Sequence, residues 1–67
     1  MAKIQINGRK TAVNQNYSII DVLKKYKLNK KKVAIELNGK IVPQNKYYSK
    51  KLKNNDKIEI VQFIGGG

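Results

Sequence analysis

The sequence predicts an α+β fold, a mixed sheet of about five strands packed on one main helix. Three observations predict it. Several short stretches alternate polar and apolar residues with the period of two that marks a half-buried strand. Two of those stretches end at Asn-Gly, the pair that closes tight hairpins. One further stretch sets its apolar residues at helical spacing behind a capping sequence.

The first strand is Lys3-Ile4-Gln5-Ile6-Asn7, with Ile4 and Ile6 on its buried face. Asn7-Gly8 readily supplies the positive φ angles of a hairpin turn, so Lys10 to Val13 returns as an antiparallel second strand. The polar Asn14-Gln15-Asn16 ends it. Ser18, followed three residues later by Asp21, forms a capping box and starts the helix, which runs about three turns to Tyr26 or Leu28. Ile19, Val22, Leu23 and Tyr26 make its apolar face, while Lys24, Lys25 and Lys27 turn outward. Asn29-Lys30-Lys31-Lys32 is a linker without an apolar member. Val33-Ala34-Ile35-Glu36-Leu37 alternates again, and Asn38-Gly39 turns it into the short strand Lys40-Ile41-Val42. Pro43 stops that strand, since it has no N–H for a ladder. Gln44 to Lys53 is a polar connection from which Tyr47, Tyr48 and Leu52 fold back on the core. Asn54-Asn55-Asp56 is a turn in which Asn tolerates a left-handed backbone. The last strand runs from Lys57 to Phe63 or Ile64, with Ile58 and Ile60 on one face and Val61 and Phe63 on the other. Two strands, a helix, two strands and a final strand make a β-grasp, the ubiquitin-like architecture. It occupies residues 1–64 as one domain, and 65–67 are a C-terminal Gly tail.

Composition narrows the function. A chain of 67 residues builds one thin core. Without Cys there is no disulfide and no zinc-thiolate site, and without His the usual general base and metal ligand are missing. A carrier, a binding module or a subunit is therefore expected, rather than an enzyme or a metalloprotein. The net charge of +11 suggests a polyanion partner. Its make-up suggests something plainer. There are 14 Lys, 8 Asn and 9 Ile against a single Arg, the bias of AT-rich codons, whereas a dedicated nucleic-acid site favours Arg for bidentate contacts. The lysines of Lys30-Lys31-Lys32 and Lys50-Lys51 read first as solvated loop charges rather than a nucleic-acid site. Neither a signal peptide nor an apolar run of about 18 residues is visible, so a cytoplasmic protein without a membrane is expected.

The feature that can carry chemistry is the ending Phe63-Ile64-Gly65-Gly66-Gly67, for which a frayed tail is the plainer alternative. A Gly tail has no Cβ and fits a channel too narrow for side chains. Its reactive group is the α-carboxylate of Gly67. That anion is a poor electrophile and needs activation, most simply by attack on the α-phosphate of ATP to give an acyl-adenylate. A sulfur nucleophile can then displace AMP and leave a thiocarboxylate. ATP and magnesium have to be bound by a partner, because this chain has no phosphate-cradling loop and only four carboxylates.

Across essentially its whole length the chain resembles the ThiS family, ubiquitin-like sulfur carriers of thiamin biosynthesis. The resemblance rests on the short size, on Leu37-Asn38-Gly39-Lys40-Ile41-Val42-Pro43, on the turn at Asp56 leading into Ile58-Glu59-Ile60-Val61, and on Phe63-Ile64-Gly65-Gly66-Gly67. It implies that a ThiF-type adenylating enzyme activates Gly67 with ATP, that a cysteine desulfurase or another donor supplies the sulfur, and that the thiazole synthase ThiG accepts it. Gly67 is then the covalent site, and Gly65 and Gly66 thread both partner active sites. Val61, Phe63 and Ile64 are the candidate partner interface, with packing under the Gln44 to Lys53 connection as the plainer alternative for Val61 and Phe63. The unusually high charge implies unusually acidic partner surfaces. The nearest alternative is a MoaD-like carrier of molybdopterin synthesis, which shares the terminal glycines. From another class comes an RNA-binding β-grasp module, for which Tyr47 and Tyr48 would have to stack bases rather than pack at the core or its rim.

Overall fold

Each Asn-Gly pair closes a hairpin, and the two hairpins supply four of the five strands. In the computed structural model, which describes residues 1–63, β1 (Ala2–Ile6) turns at Asn7 (φ 50°) and Gly8 (φ 83°) into β2 (Arg9–Val13). β3 (Val33–Leu37) turns at Asn38 (φ 53°) and Gly39 (φ 85°) into β4 (Lys40–Val42). Positive φ at both central residues is the type I′ geometry, whose twist matches that of the flanking strands. β5 (Lys57–Gln62) enters between the hairpins and gives the order β2-β1-β5-β3-β4, with β1 and β5 parallel and the other neighbours antiparallel. This is the β-grasp arrangement that the element order predicts.

Register fixes the two faces of the sheet. Leu37 opposes Ile58 and Ile35 opposes Ile60, while Ala2, Ile4 and Ile6 point the same way from β1. These residues form the core with Ile19, Ile20, Val22 and Leu23 of the helix α1 (Ile19–Lys25). Tyr47 and Leu52 close the core from the β4–β5 connection, and burial raises the Tyr47 hydroxyl above its ordinary pKa.

The helix differs from the sequence reading. It has seven residues, two turns rather than three. Its start is as expected: the Ser18 hydroxyl accepts the Asp21 N–H at 3.2 Å, and the Asp21 carboxylate accepts the Ser18 N–H at 2.9 Å. That backbone hydrogen bond is the main reason the Asp21 carboxyl sits below its ordinary pKa. The next two orphan amides of the helix start are taken up by the β4–β5 connection, Ile19 N–H by the Lys50 carbonyl and Ile20 N–H by that of Tyr47. The end lies where no sequence signal marks it. Lys27 adopts a left-handed φ of 57°, and its N–H reaches the Lys24 carbonyl while the Leu28 N–H reaches that of Leu23 at 2.8 Å. These are the paired bonds of a Schellman motif, made here without glycine. The early stop leaves Tyr26 44% exposed instead of in the core, and Ile20 takes the fourth core position. Tyr48 is likewise exposed, on the rim rather than against the core. The Lys30–Lys32 linker and the Gln44–Lys46 stretch each form one 3₁₀ turn.

Candidate functional site

β5 is the central strand, and it carries the chain toward the glycines. Both hairpin turns hold it. The Asn7 side chain continues the β1 ladder past the end of that strand: its Oδ1 accepts the Ile60 N–H at 2.6 Å and its Nδ2 donates to the Ile60 carbonyl at 3.2 Å. Asn38 does the same work at the start of β5, accepting the Lys57 N–H at 2.8 Å and donating from Nδ2 to Asp56 Oδ1 at 3.0 Å. Asn55, at φ 71°, makes the turn that aims the strand. Its N–H bonds the Lys3 carbonyl at 2.7 Å, and Asn54 Oδ1 accepts the Lys3 N–H at 2.7 Å. The two Asn-Gly pairs therefore set turns and clamp β5 at once. Sequence reading finds the turn role alone, although a side-chain amide able both to donate and to accept is a signal that Gly or Asp would not give.

The strand ends one or two residues earlier than the alternation predicts. Regular pairing stops at Gln62 opposite Val33, and Phe63 keeps one further bond, its N–H to the Lys32 carbonyl at 2.8 Å. Ile58 is buried and Ile60 half-buried on the core face, as the alternation requires. Val61 and Phe63 are 60% and 49% exposed, so neither lies under the Gln44 to Lys53 connection. Val61 pairs with Ala34 on the outer face of the sheet, which also carries Ile41, 69% exposed, opposite Glu36. Glu36 in turn opposes Glu59. Two of the chain's four carboxylates thus stand side by side on one sheet face of a strongly basic protein.

Ile64, Gly65, Gly66 and Gly67 lie outside the described residues. The structure places Val61 and Phe63 of the expected site on the outer face and adds the half-buried Ala34 opposite Val61, while Ile41 stands on the same face level with Glu36 and Glu59. A stacking platform for bases would need aromatic side chains on a basic sheet face, yet Tyr47 is buried and Tyr48 stands at the rim with the Lys30 ammonium 4.8 Å above its ring. Among the described residues no three His, Cys, Asp or Glu side chains gather in a group that could hold a metal ion, and no helix is long and apolar enough to cross a membrane.

Comparison with known proteins matches the ThiS family over residues 3–67. The chain is 37% identical over 65 residues to the sulfur carrier protein ThiS of Bacillus subtilis, which spans 96% of this chain and 98% of that one. It is also 37% identical to a thiazole synthase of Paramagnetospirillum magneticum, where the match covers 97% of this chain but only 20% of the relative, a fifth of its length. Among solved structures, the thiamine biosynthesis protein ThiS of Geobacter metallireducens superposes with a TM-score of 0.80 at 25% identity, over 97% of this chain and 99% of the other. Sheet order, core and near full-length similarity agree, and the chain belongs to the ThiS family.

Proposed function

We propose that this protein is a sulfur carrier of thiamin biosynthesis that works through the carboxylate of Gly67. The observation that carries the reading is the family match, which extends over residues 3–67 and so includes the terminal glycines. The carrier is a substrate rather than an enzyme. An ATP-dependent, ThiF-type partner binds ATP and magnesium, the Gly67 carboxylate oxygen attacks the α-phosphorus, and pyrophosphate leaves. Sulfide-level sulfur then adds to the acyl carbon and AMP departs to leave a thiocarboxylate. Where the donor is a cysteine desulfurase persulfide, the attack gives an acyl disulfide that a thiol must reduce to release the thiocarboxylate. Thiazole synthase takes the sulfur. A thiazole synthase relative in which the matched segment makes up a fifth of the chain supports that partnership. ThiS membership favours thiamin over molybdopterin as the product served.

In this reading residues 1–64 are the docking body and Gly65 and Gly66 are the slender approach that carries Gly67 into partner sites in the cytoplasm. Val61, Phe63 and Ile64 form the contact surface at its root. The test is the intact mass after incubation with the cognate activating enzyme, ATP and a sulfur donor. A gain equal to exchanging one oxygen for sulfur is expected, and deletion of Gly67 abolishes it. The reading fails if no gain occurs where a control carrier converts, or if the deletion variant still loads.

A further inference from the structure

β3 runs antiparallel to β5, so the start of β3 lies beside the end of β5. Val33 pairs with Gln62, and the Phe63 N–H bonds the Lys32 carbonyl at 2.8 Å. The Lys30–Lys32 turn is thereby fixed at the root of the segment that follows Phe63. Other contacts order it. Asn29 Oδ1 accepts the Lys31 N–H at 2.9 Å, and the Asn29 carbonyl accepts the Lys32 N–H at 2.9 Å. The Lys30 ammonium lies 4.8 Å over the Tyr48 ring and donates to its hydroxyl at 3.1 Å. Two strands away, Arg9 lines an open groove of about 390 Å³ with Tyr26, Leu28, Ile60 and Gln62, but it opposes Ile6, which pairs with Ile58, so its backbone stands level with the first half of β5. The cations at the end of β5 are those of the Lys30–Lys32 turn.

The carboxylates lie elsewhere. Asp56 precedes β5 at its start, and Asp21 is in the first turn of a helix whose opposite end, Tyr26, reaches the groove beside Gln62. Glu59 and its neighbour Glu36 are closest, yet Glu59 is four residues before Phe63, about 13 Å along a strand. A charge run that served solubility alone would need neither a cap nor an aromatic ring to hold it in place.

We propose that Lys30, Lys31 and Lys32 form a basic collar that docks on an acidic protein rim around the mouth of the activating enzyme's site. This rests on the carrier reading above. Reach decides between a protein rim and the phosphates of ATP. The four residues after Phe63, fully extended, span at most about 14 Å, and a lysine side chain covers less than half of that. The collar stops at the mouth while the carboxylate reacts inside, so its partners are carboxylates of the enzyme. Rim charges of this kind accelerate association and set its salt dependence more than they alter the chemistry that follows.

The experiment measures thiocarboxylate formation against carrier concentration, with cognate activating enzyme, ATP and sulfur donor. Lys30→Glu, Lys31→Glu and Lys32→Glu together raise the KM for the carrier about tenfold or more at low ionic strength, with kcat changed less than about twofold, and the difference shrinks as salt is added. The control makes the same charge change at the other end of the sheet, at Lys46, Lys50 and Lys53. Lys46 and Lys50 border the depression beside Asn38, and Lys53 adjoins Asp56. This control shifts KM less than about threefold. Circular dichroism checks that each variant folds; a triple Gln variant, expected to move KM the same way by a smaller factor, replaces the Glu variant if that one does not. Equal KM for collar and control variants overturns the proposal, as does a loss confined to kcat or to the KM for ATP. Failure of the wild-type chain to load overturns the carrier reading instead.

Discussion

Asn7 shows how one side chain serves two ends of the sequence. Its backbone adopts the left-handed angle of the turn, and its amide bonds both the N–H and the carbonyl of Ile60, 53 residues away. Had Asn7 only a turn to make, glycine would replace it at a cost of no more than about 0.5 kcal/mol, since both residues suit that position and only the freedom of the unfolded chain differs. With the clamp, Asn7→Gly destabilises by about 1–2 kcal/mol through two lost hydrogen bonds, and Asn7→Asp by less, because the acceptor for the Ile60 N–H survives. Urea unfolding of the three proteins gives the order; indistinguishable midpoints for wild type and Asn7→Gly would reduce Asn7 to a turn residue. The Asn-Gly pairs were legible in the sequence as turns because their φ requirement is local. The clamp was not, because it depends on which strand arrives beside the turn, and that is decided by the whole topology.

At the scale of elements, legibility followed the same division. Strands whose alternate residues enter the core, such as Val33, Ile35 and Leu37, were readable because burial on one face imposes the pattern. The capping box of Ser18 and Asp21 was readable because both partners lie within one turn. The helix end is legible only as Tyr26 or Leu28, since Lys27 occupies a position that usually advertises itself as glycine; Tyr26 is the C-cap, and its ring is exposed rather than on the core face. A left-handed lysine costs about 1–2 kcal/mol, partly offset by the greater freedom glycine has in the unfolded chain. Lys27→Gly accordingly stabilises by about 0.5 kcal/mol, a rise in Tm of about 2–4 °C for a domain of this size. Lys25→Gly, two positions earlier at the last helical residue, lowers stability by up to about 1 kcal/mol. Thermal unfolding separates the two; a Tm that falls in both variants would show that the Lys27 side chain contributes more than its backbone angle costs.

For the molecule as a whole, the sheet has one face committed to the core and one left open, and the open face carries the exposed apolar residues nearest the end of β5. Val61 and Phe63 are only partly visible in sequence: the alternation separates them from Ile58 and Ile60, but nothing local says that no element covers them. Large side chains left exposed on a small protein act on a partner or do little, and stability measurements tell these apart. Truncating Phe63 to Ala removes about half of a side chain's burial, so unfolding free energy changes by no more than about 1 kcal/mol. Val61→Ser changes it by no more than about 0.5 kcal/mol, as expected of a surface position. If the face docks on the activating enzyme, the same substitutions act where apolar anchors contribute most, and each lowers kcat/KM for thiocarboxylate formation about five- to thirtyfold, equivalent to 1–2 kcal/mol. Unlike the collar substitutions, this loss persists at high salt, because burial of apolar surface is not screened. Variants that keep both their stability and their loading rate would leave the open face as solvent-facing sheet and confine partner contact to the collar and the segment beyond Phe63.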